Sequence, residues 1–400
     1  MTISSPPPDH LDVSTPQGAS GTLQHARDYL FGYEVGASPH AEISLTMPRR
    51  APQYVSAELH PIFQMNLPEG YVLDELRRRF AKASSLNPML LLALTGRDSA
   101  IGRVSVSTPA VAPVDGMKGE RLDEILAWDG AEDLFAELAE RYLLRTGASG
   151  VQPKLLVPEK MAPSKGSMLT RELIVKSAGD DYPGLAINEY VCMSIARAIG
   201  IPVPEFHLSK NRELFVMRRF DRTAGGAAIG FEDMAVLMGL PAARKYDSSY
   251  ERIAKAILLF CSPEHHPAAL AQLFDQVVLS CIVGNGDAHL KNFGVLYDDP
   301  HEGTVRLAPA YDIINTTAYL PDDGLALLLN GSKSLFAARA NLDTLIERCR
   351  VRNADRRIDE IIAAAEAVLA DEHDLLDAAP PLEPAIRKSI DLFARRTRRT

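Results

Sequence analysis

Val283-Gly284-Asn285-Gly286-Asp287-Ala288-His289-Leu290-Lys291-Asn292 is the stretch on which the reading of this 400-residue chain turns. It is a glycine-flanked polar loop. The apolar runs Val277-Val278-Leu279 and Cys281-Ile282-Val283 lead into it, and Phe293-Gly294-Val295-Leu296-Tyr297 leads out. Asp287 and Asn292 stand five apart and put a carboxylate and a hard amide oxygen on one loop. The plain alternative is a helix-to-strand turn, rich in Gly, Asn and Asp because those residues tolerate turn geometry. Taken alone, the stretch leaves both readings open.

Outward from the loop the chain changes character near residue 222. After it the apolar spacing predicts helices over Glu232–Met238, Tyr250–Phe260, Ala268–Val283, Leu342–Arg350, Arg357–Leu369 and Pro384–Arg396. Before it the pattern is mixed. A helical pair over Leu122–Trp128 and Ala131–Leu144 precedes the turn Thr146–Lys154 and the strands Leu155–Val157 and Arg171–Lys176. A helix over Asn188–Gly200 repeats Val191, Ile195 and Ile199 at four-residue steps and stops at Gly200 and Pro202. The strands Glu205–Leu208 and Glu213–Met217 then form a hairpin. Further upstream, strand-like pieces at Tyr29–Val35 and Ala41–Thr46, helices at 71–80 and 86–94, and a strand Ile101–Ser107 suggest a small α/β module. The expected division is a disordered tail over 1–20, the N-terminal module over 21–119, a strand-containing lobe over 120–222 and an all-helical lobe over 223–400.

Length and composition allow a substantial core in two or three domains. Net charge is −9, which argues against a surface that coats nucleic acid generally. Cys192, Cys261, Cys281 and Cys349 form no C-x-x-C pair, and we read them as reduced core residues. The first residues carry no basic and apolar signal pattern. Apolar runs such as Met89–Leu94 fall far short of a membrane span. A cytoplasmic protein without membrane contact is expected.

Polar residues now fall into an order. The glycine-containing turn 147–150 precedes a strand ending in Lys176, and Asp287 and Asn292 follow, with Asp312 twenty residues later in Pro309-Ala310-Tyr311-Asp312. The Asp287–Asn292 separation is that of base and metal-binding asparagine in the H-R-D-x-x-x-x-N loop of protein kinases. A lysine at a strand end suits phosphate charge, Asn and Asp oxygens suit Mg²⁺, and a carboxylate beside a hydroxyl accepts its proton. Glu189, on the helix after Lys176, stands in sequence like the glutamate of the kinase αC helix. Each residue also has a simpler reading, Lys176 as a surface lysine, Asp312 as a helix cap and Glu189 as a solvated glutamate. His289 lacks a second His or Cys at zinc-ligand spacing and is read as organising the loop.

Seven segments in one order resemble the HipA-type serine/threonine kinases, toxins of bacterial toxin–antitoxin systems. They are Ser149–Lys154, Leu173–Lys176, Asn188-Glu189-Tyr190 running on to Gly200-Ile201-Pro202-Val203-Pro204, Arg218–Arg222, Glu232-Asp233-Met234, Gly284–Asn292 and Ala308–Asp312. Ser44–Pro48 and Asn66-Leu67-Pro68-Glu69-Gly70 resemble the family's N-terminal module, so the likeness spans roughly 21–395. The resemblance implies an α+β, two-lobed protein-kinase-like fold of the PI3/4-kinase-like variant. It implies ATP and Mg²⁺ as cofactors, Asp287 as the catalytic aspartate, and Asn292 with Asp312 as the metal ligands. ATP would further contact Ser149, Gly150, Val151, Gln152, Lys154, Lys176, His289, Lys291 and Tyr311, with Arg218-Arg219-Phe220 as the hinge against adenine. Ser149 would be the autophosphorylated residue; the alternative acceptor position two residues earlier is Gly147 here. The implied partners are a HipB-like helix-turn-helix antitoxin, DNA only through that antitoxin, and a protein substrate such as an aminoacyl-tRNA synthetase. A co-repressor with little kinase activity and a small-molecule kinase remain as alternatives.

Overall fold

The computed structural model describes residues 8–80, 86–97, 100–109, 111, 119–129, 133–147, 152–160, 171–179 and 181–394. Alternation begins almost at once. Leu11, Val13 and Thr15 point inward from β1 (His10–Thr15), and β2 (Gly18–His25) and β3 (Tyr29–Tyr33) continue the pattern. The expectation of a disordered tail over 1–20 is therefore wrong from residue 10 onward. Its proline- and serine-rich opening hid a two-residue period only six residues long. With β4 (Gln53–Ser56) and β5 (Ser105–Ser107) these strands form an antiparallel sheet in the order β4-β3-β2-β1-β5. Helix α1 (Pro61–Gln64) packs on its core, α2 (Gly70–Arg79) turns Val72 and Leu76 to the core of the next layer, and α3 (Pro88–Thr95), capped by the Asn87 side chain, packs against β1 and β5. Residues 41–46 are not a strand. Their polar groups turn to a buried glutamate, Glu232, as described below.

The next layer begins with α4 (Leu122–Ala127) and α5 (Leu134–Tyr142), which pack on one face of the sheet β6-β7-β9-β8. Its strands are β6 (Lys154–Glu159), β7 (Arg171–Ser177), β8 (Phe206–Leu208) and β9 (Leu214–Arg218). Between β7 and β8 runs α6 (Leu185–Ala198), buried along nearly its whole length. That burial follows from packing on two sides, against the sheet and against the helices of the larger lobe.

The remainder combines helices with a small sheet and the irregular stretch 308–338. β10 (Gly230–Asp233), β11 (Gly294–Tyr297) and β12 (Arg306–Leu307) form an antiparallel sheet that the all-helical expectation lacked. Of the expected helix over Glu232–Met238 only α7 (Met234–Leu237) is helical. Gly230–Asp233 pairs residue for residue with Tyr297–Gly294 instead, and a buried strand pairing outweighs the weak helix signal of so short a run. α8 (Tyr250–Phe260), α9 (His266–Val283), α10 (Asp343–Cys349), α11 (Ala354–Asp371), α12 (His373–Leu376) and α13 (Leu382–Ala394) complete the lobe. With its preceding turn, α9 is the one described helix long and apolar enough to cross a membrane. It is a core helix here, packed against α8, α10, α11 and α13. All four cysteines are buried free thiols.

Candidate active site

α9 delivers the chain to the cleft and stops at Gly284. Its φ of +70° is left-handed, a conformation open to glycine without steric cost, and its N–H returns to Ser280 O. Asn315 Nδ2 donates to Val283 O, and Asn315 is itself held by a two-way amide exchange with Asn188 of α6. Gly286 N donates to Thr316 Oγ1 at 2.8 Å, and Asp287 N to Asn285 Oδ1 at 2.9 Å. Gly286 could carry no side chain, since a Cβ would stand 1.9 Å from Asp323 Oδ2. These bonds set the loop so that Asp287 faces a cleft of about 1280 Å³ between the lobes.

On the other wall β7 ends at Lys176, which is buried rather than on the surface. Its Nζ donates to Glu189 Oε1 at 2.6 Å and to Asp312 Oδ1 at 2.5 Å. The β6–β7 register sets Lys154 directly opposite Lys176. Two like charges so placed repel, and the two carboxylates offset that. Against the burial that would raise it, Lys176 and Lys154 hold the Asp312 carboxyl far below the usual carboxylate range. At Glu189 burial wins over the attraction of Lys176 and pushes the carboxyl up to about 7. One ammonium ionises its first carboxylate fully and its second only in part. Glu189 is thus no solvated side chain, and its Oε2 has no partner among the described residues.

Asp312 has φ +59°, unusual for a residue with a Cβ and worth a kcal/mol or so of strain, about 1–2. It is held there by Lys176 and by Asn292, whose Nδ2 donates to Asp312 O at 3.3 Å. That bond uses one of the amide's two N–H donors and ties the side chain to the Asp312 backbone. Asp312 and Asn292 both line the cleft, and carboxylate and amide oxygens are the hard donors that suit Mg²⁺. That ion takes one or two protein ligands and completes its shell with substrate phosphate and water. Among the described residues no cluster of three or more His, Cys, Asp or Glu forms a denser metal site.

Asp287 Oδ1 accepts the Tyr246 hydroxyl at 2.6 Å. Burial raises the Asp287 carboxyl, the Tyr246 bond lowers it, and the raising effect prevails. His289 is buried, which drives its imidazole down to about 3 and keeps it neutral. It stacks edge-on to Tyr246, with its Nε2 3.9 Å from Asp287 Oδ1, a loop organiser rather than a metal ligand. Lys291 Nζ donates to Glu69 Oε1, and Lys291 O accepts the Tyr311 hydroxyl. At the inner end of the cleft Phe220 packs on Tyr311 at 5.1 Å and on Phe231 at 5.5 Å, an apolar wall able to take a flat base.

Gln152, Lys154, Lys176, Phe220, His289, Lys291, Asn292, Tyr311, Asp312 and Asp287 all line this cleft. Ser149, Gly150 and Val151 lie outside the described residues. One expectation needs correction. Arg218 does not line the cleft, because its guanidinium is taken by Glu159 and Glu205. Arg219 does line the cleft, but its guanidinium is held by Glu172 and Asp221 and its backbone N–H goes to Glu172 O. Of the expected hinge only Phe220 offers its side chain to a base. Tyr246, Glu69 and Asp323 went unassigned in the sequence, where nothing in local spacing ties them to a loop more than thirty residues away.

The two lobes, with this cleft between them, place the protein among the kinases. Residues 146–369 match the HipA-like C-terminal domain and residues 11–107 the HipA N-terminal domain, so the chain belongs to the HipA family. The chain is 30% identical over 307 residues to the kinase-named protein Y4dM of Sinorhizobium fredii, covering 71% of this chain and 69% of the relative. It is 29% identical to Y4mE of the same organism, over 84% and 85% of the two chains. Its fold is that of HipA in the solved complex of Shewanella oneidensis HipA, HipB and operator DNA. The TM-score is 0.69, identity is 17%, and the match covers 96% of this chain and 97% of that one.

Proposed function

We propose that the chain transfers the γ-phosphoryl group of ATP to a serine or threonine hydroxyl of a protein. We further propose that it acts in the cytoplasm as the toxin of a toxin–antitoxin pair. The observation that carries the reading is the Lys176 ammonium between Glu189 and Asp312, facing Asp287 across one cleft. Phe220 and Tyr311 would receive the base, and Lys154, Lys176 and Lys291 would face the phosphates with fixed positive charge. Asp312 and Asn292 would hold Mg²⁺, which when bound neutralises phosphate charge. The acceptor hydroxyl would displace Tyr246 from Asp287 and give its proton to that carboxylate. As the acceptor oxygen bonds to the γ-phosphorus, the bond to the β–γ bridging oxygen breaks and ADP leaves.

Regulation would lie at Ser149, three residues before Gln152. A phosphate there would repel the phosphates of the nucleotide. A HipB-like helix-turn-helix antitoxin is the proposed partner, by analogy with the Shewanella oneidensis complex, with DNA reached only through it. Buried free thiols support a reducing compartment. The test is expression in a bacterial host. Wild-type chain should slow growth and leave new phosphoserine or phosphothreonine on a translation component such as an aminoacyl-tRNA synthetase. Asp287→Asn should do neither. Equal phosphorylation by the Asp287→Asn chain would overturn the assignment.

A further inference from the structure

The N-terminal module reaches the catalytic loop through a charged contact between residues 222 apart in sequence. Lys291 Nζ donates to Glu69 Oε1 at 2.8 Å, with 8% of the lysine side chain and 29% of the glutamate exposed. Glu69 stands at the N-cap of α2, yet its side chain makes no capping bond there. Its carboxylate is spent on the other lobe instead of on its own helix, where an N-cap acceptor is ordinarily worth about 1 kcal/mol.

A second contact holds the module at the far end of the same loop. Glu232 on β10 accepts from Ser44 Oγ at 2.7 Å, from Leu45 N at 2.8 Å and from Tyr297 Oη at 2.5 Å. Tyr297 ends β11, the strand that carries the chain away from Asn292. The stretch from Lys291 to Tyr297 is therefore tied to the module at both ends, by an ion pair at Lys291 and by a buried glutamate at Tyr297. Asp233, buried one residue along from Glu232, is another carboxyl in electrostatic reach of Lys291. Without Glu69 the ammonium would have that competitor to turn to.

We infer that Glu69 is a positioning residue, through which the N-terminal module holds Lys291 and the segment 287–292 in the geometry that receives nucleotide phosphates. This rests on the nucleotide-binding reading of the cleft. The module is then a working part of the site, and its Met65 and Ile101 side chains stand in the same cleft wall.

The test compares full-length wild type, Glu69→Gln, Lys291→Met and the double variant. Two readouts are used: hydrogen exchange by mass spectrometry, and affinity for a fluorescent ADP analogue with Mg²⁺. Glu69→Gln should speed exchange in peptides covering 284–297 by about tenfold while peptides from α9 and from β1–β2 keep their rates. Its Kd for the analogue should rise about three- to tenfold, the range of one ordinary hydrogen bond. In the Lys291→Met background Glu69→Gln should add nothing, because its effect passes through that lysine. Unchanged exchange in the loop overturns the inference. So does faster exchange throughout the module, or an equal Kd penalty with and without Lys291. If wild type binds no nucleotide, the kinase reading fails, and the exchange measurement decides the role of Glu69 separately.

Discussion

Lys176→Met removes an ammonium that sits 2.6 Å from Glu189 Oε1 and 2.5 Å from Asp312 Oδ1, with 3% of its side chain exposed. Methionine keeps the apolar stem but leaves two buried carboxylates facing one another. Breaking a buried pair from one side costs about 3–5 kcal/mol. Two features reduce that here. Lys154 still attracts both carboxylates, and Asp312 keeps 27% of its side-chain surface, so solvent screens its share. Glu189 has no exposed side-chain surface and carries most of the cost. The expected loss at pH 8 is about 2–4 kcal/mol, starting from the range for a broken buried pair. At roughly 2–4 °C per kcal/mol that lowers Tm by about 5–15 °C.

The loss should also depend on pH in a definite direction. Glu189 lies at about 7 in the fold even with Lys176 present, above its ordinary 4.5. Without the lysine it rises further. A carboxyl whose folded pKa exceeds its unfolded one favours the fold in its protonated form. That advantage is complete below about pH 4.5 and is lost as pH climbs through the folded value. Thermal unfolding followed by circular dichroism should give a wide gap between wild type and Lys176→Met at pH 8 and a narrow one at pH 5.5. Adding Glu189→Gln to the lysine variant should recover most of the loss, because it removes the fully buried charge that carries it. A gap of equal size at both pH values, or no recovery, would refute carboxylate desolvation as the source of the cost.

Tyr246→Phe deletes the hydroxyl that donates to Asp287, a bond that opposes the upward push of burial on that carboxyl. The acidic limb of the pH–rate profile should move to higher pH. Activity at neutral pH should drop about three- to tenfold for one lost hydrogen bond, with KM for ATP unchanged. An unmoved limb would mean that Tyr246 does not tune the base. Gly286→Ala puts a Cβ into Asp323 and into Gly324 O, which a Cβ would approach to 2.6 Å. The loop must shift, and phosphoryl transfer should fall about a hundredfold, since an ångström of misplacement costs that much. The circular dichroism spectrum should stay that of the wild type, and retained transfer would show that the loop tolerates displacement.

Much of the site was legible because its parts lie on strongly patterned elements. The α9 run, the strand ending in Lys176 and the Asp287–Asn292 spacing are local features that survive in one dimension. What failed to show were features with short periods or distant partners. β1 is six residues behind a proline-rich opening, and β10 is four residues whose strand state depends on pairing with β11 some sixty residues on. Arg218 and Arg219 sat at the right place in the order, but their partners Glu159, Glu172 and Glu205 are set by sheet register. Spacing does not reveal that register, so their structural role was hidden. For Glu189 the sequence left the αC-type glutamate of a kinase and a solvated side chain both open, and the enclosure of α6 on both sides decides for burial.

The central claim is that this cleft transfers phosphate from ATP, and purified protein tests it most directly. Full-length wild type and Asp287→Asn would be incubated with Mg²⁺ and γ-labelled ATP, with and without candidate synthetases, and nucleotide affinity measured alongside. The account predicts label on serine or threonine with the wild type, none with Asp287→Asn, and similar nucleotide affinity for both. Transfer that survives in Asp287→Asn, or a wild type that binds nucleotide and labels no hydroxyl in itself or in a partner, would contradict it.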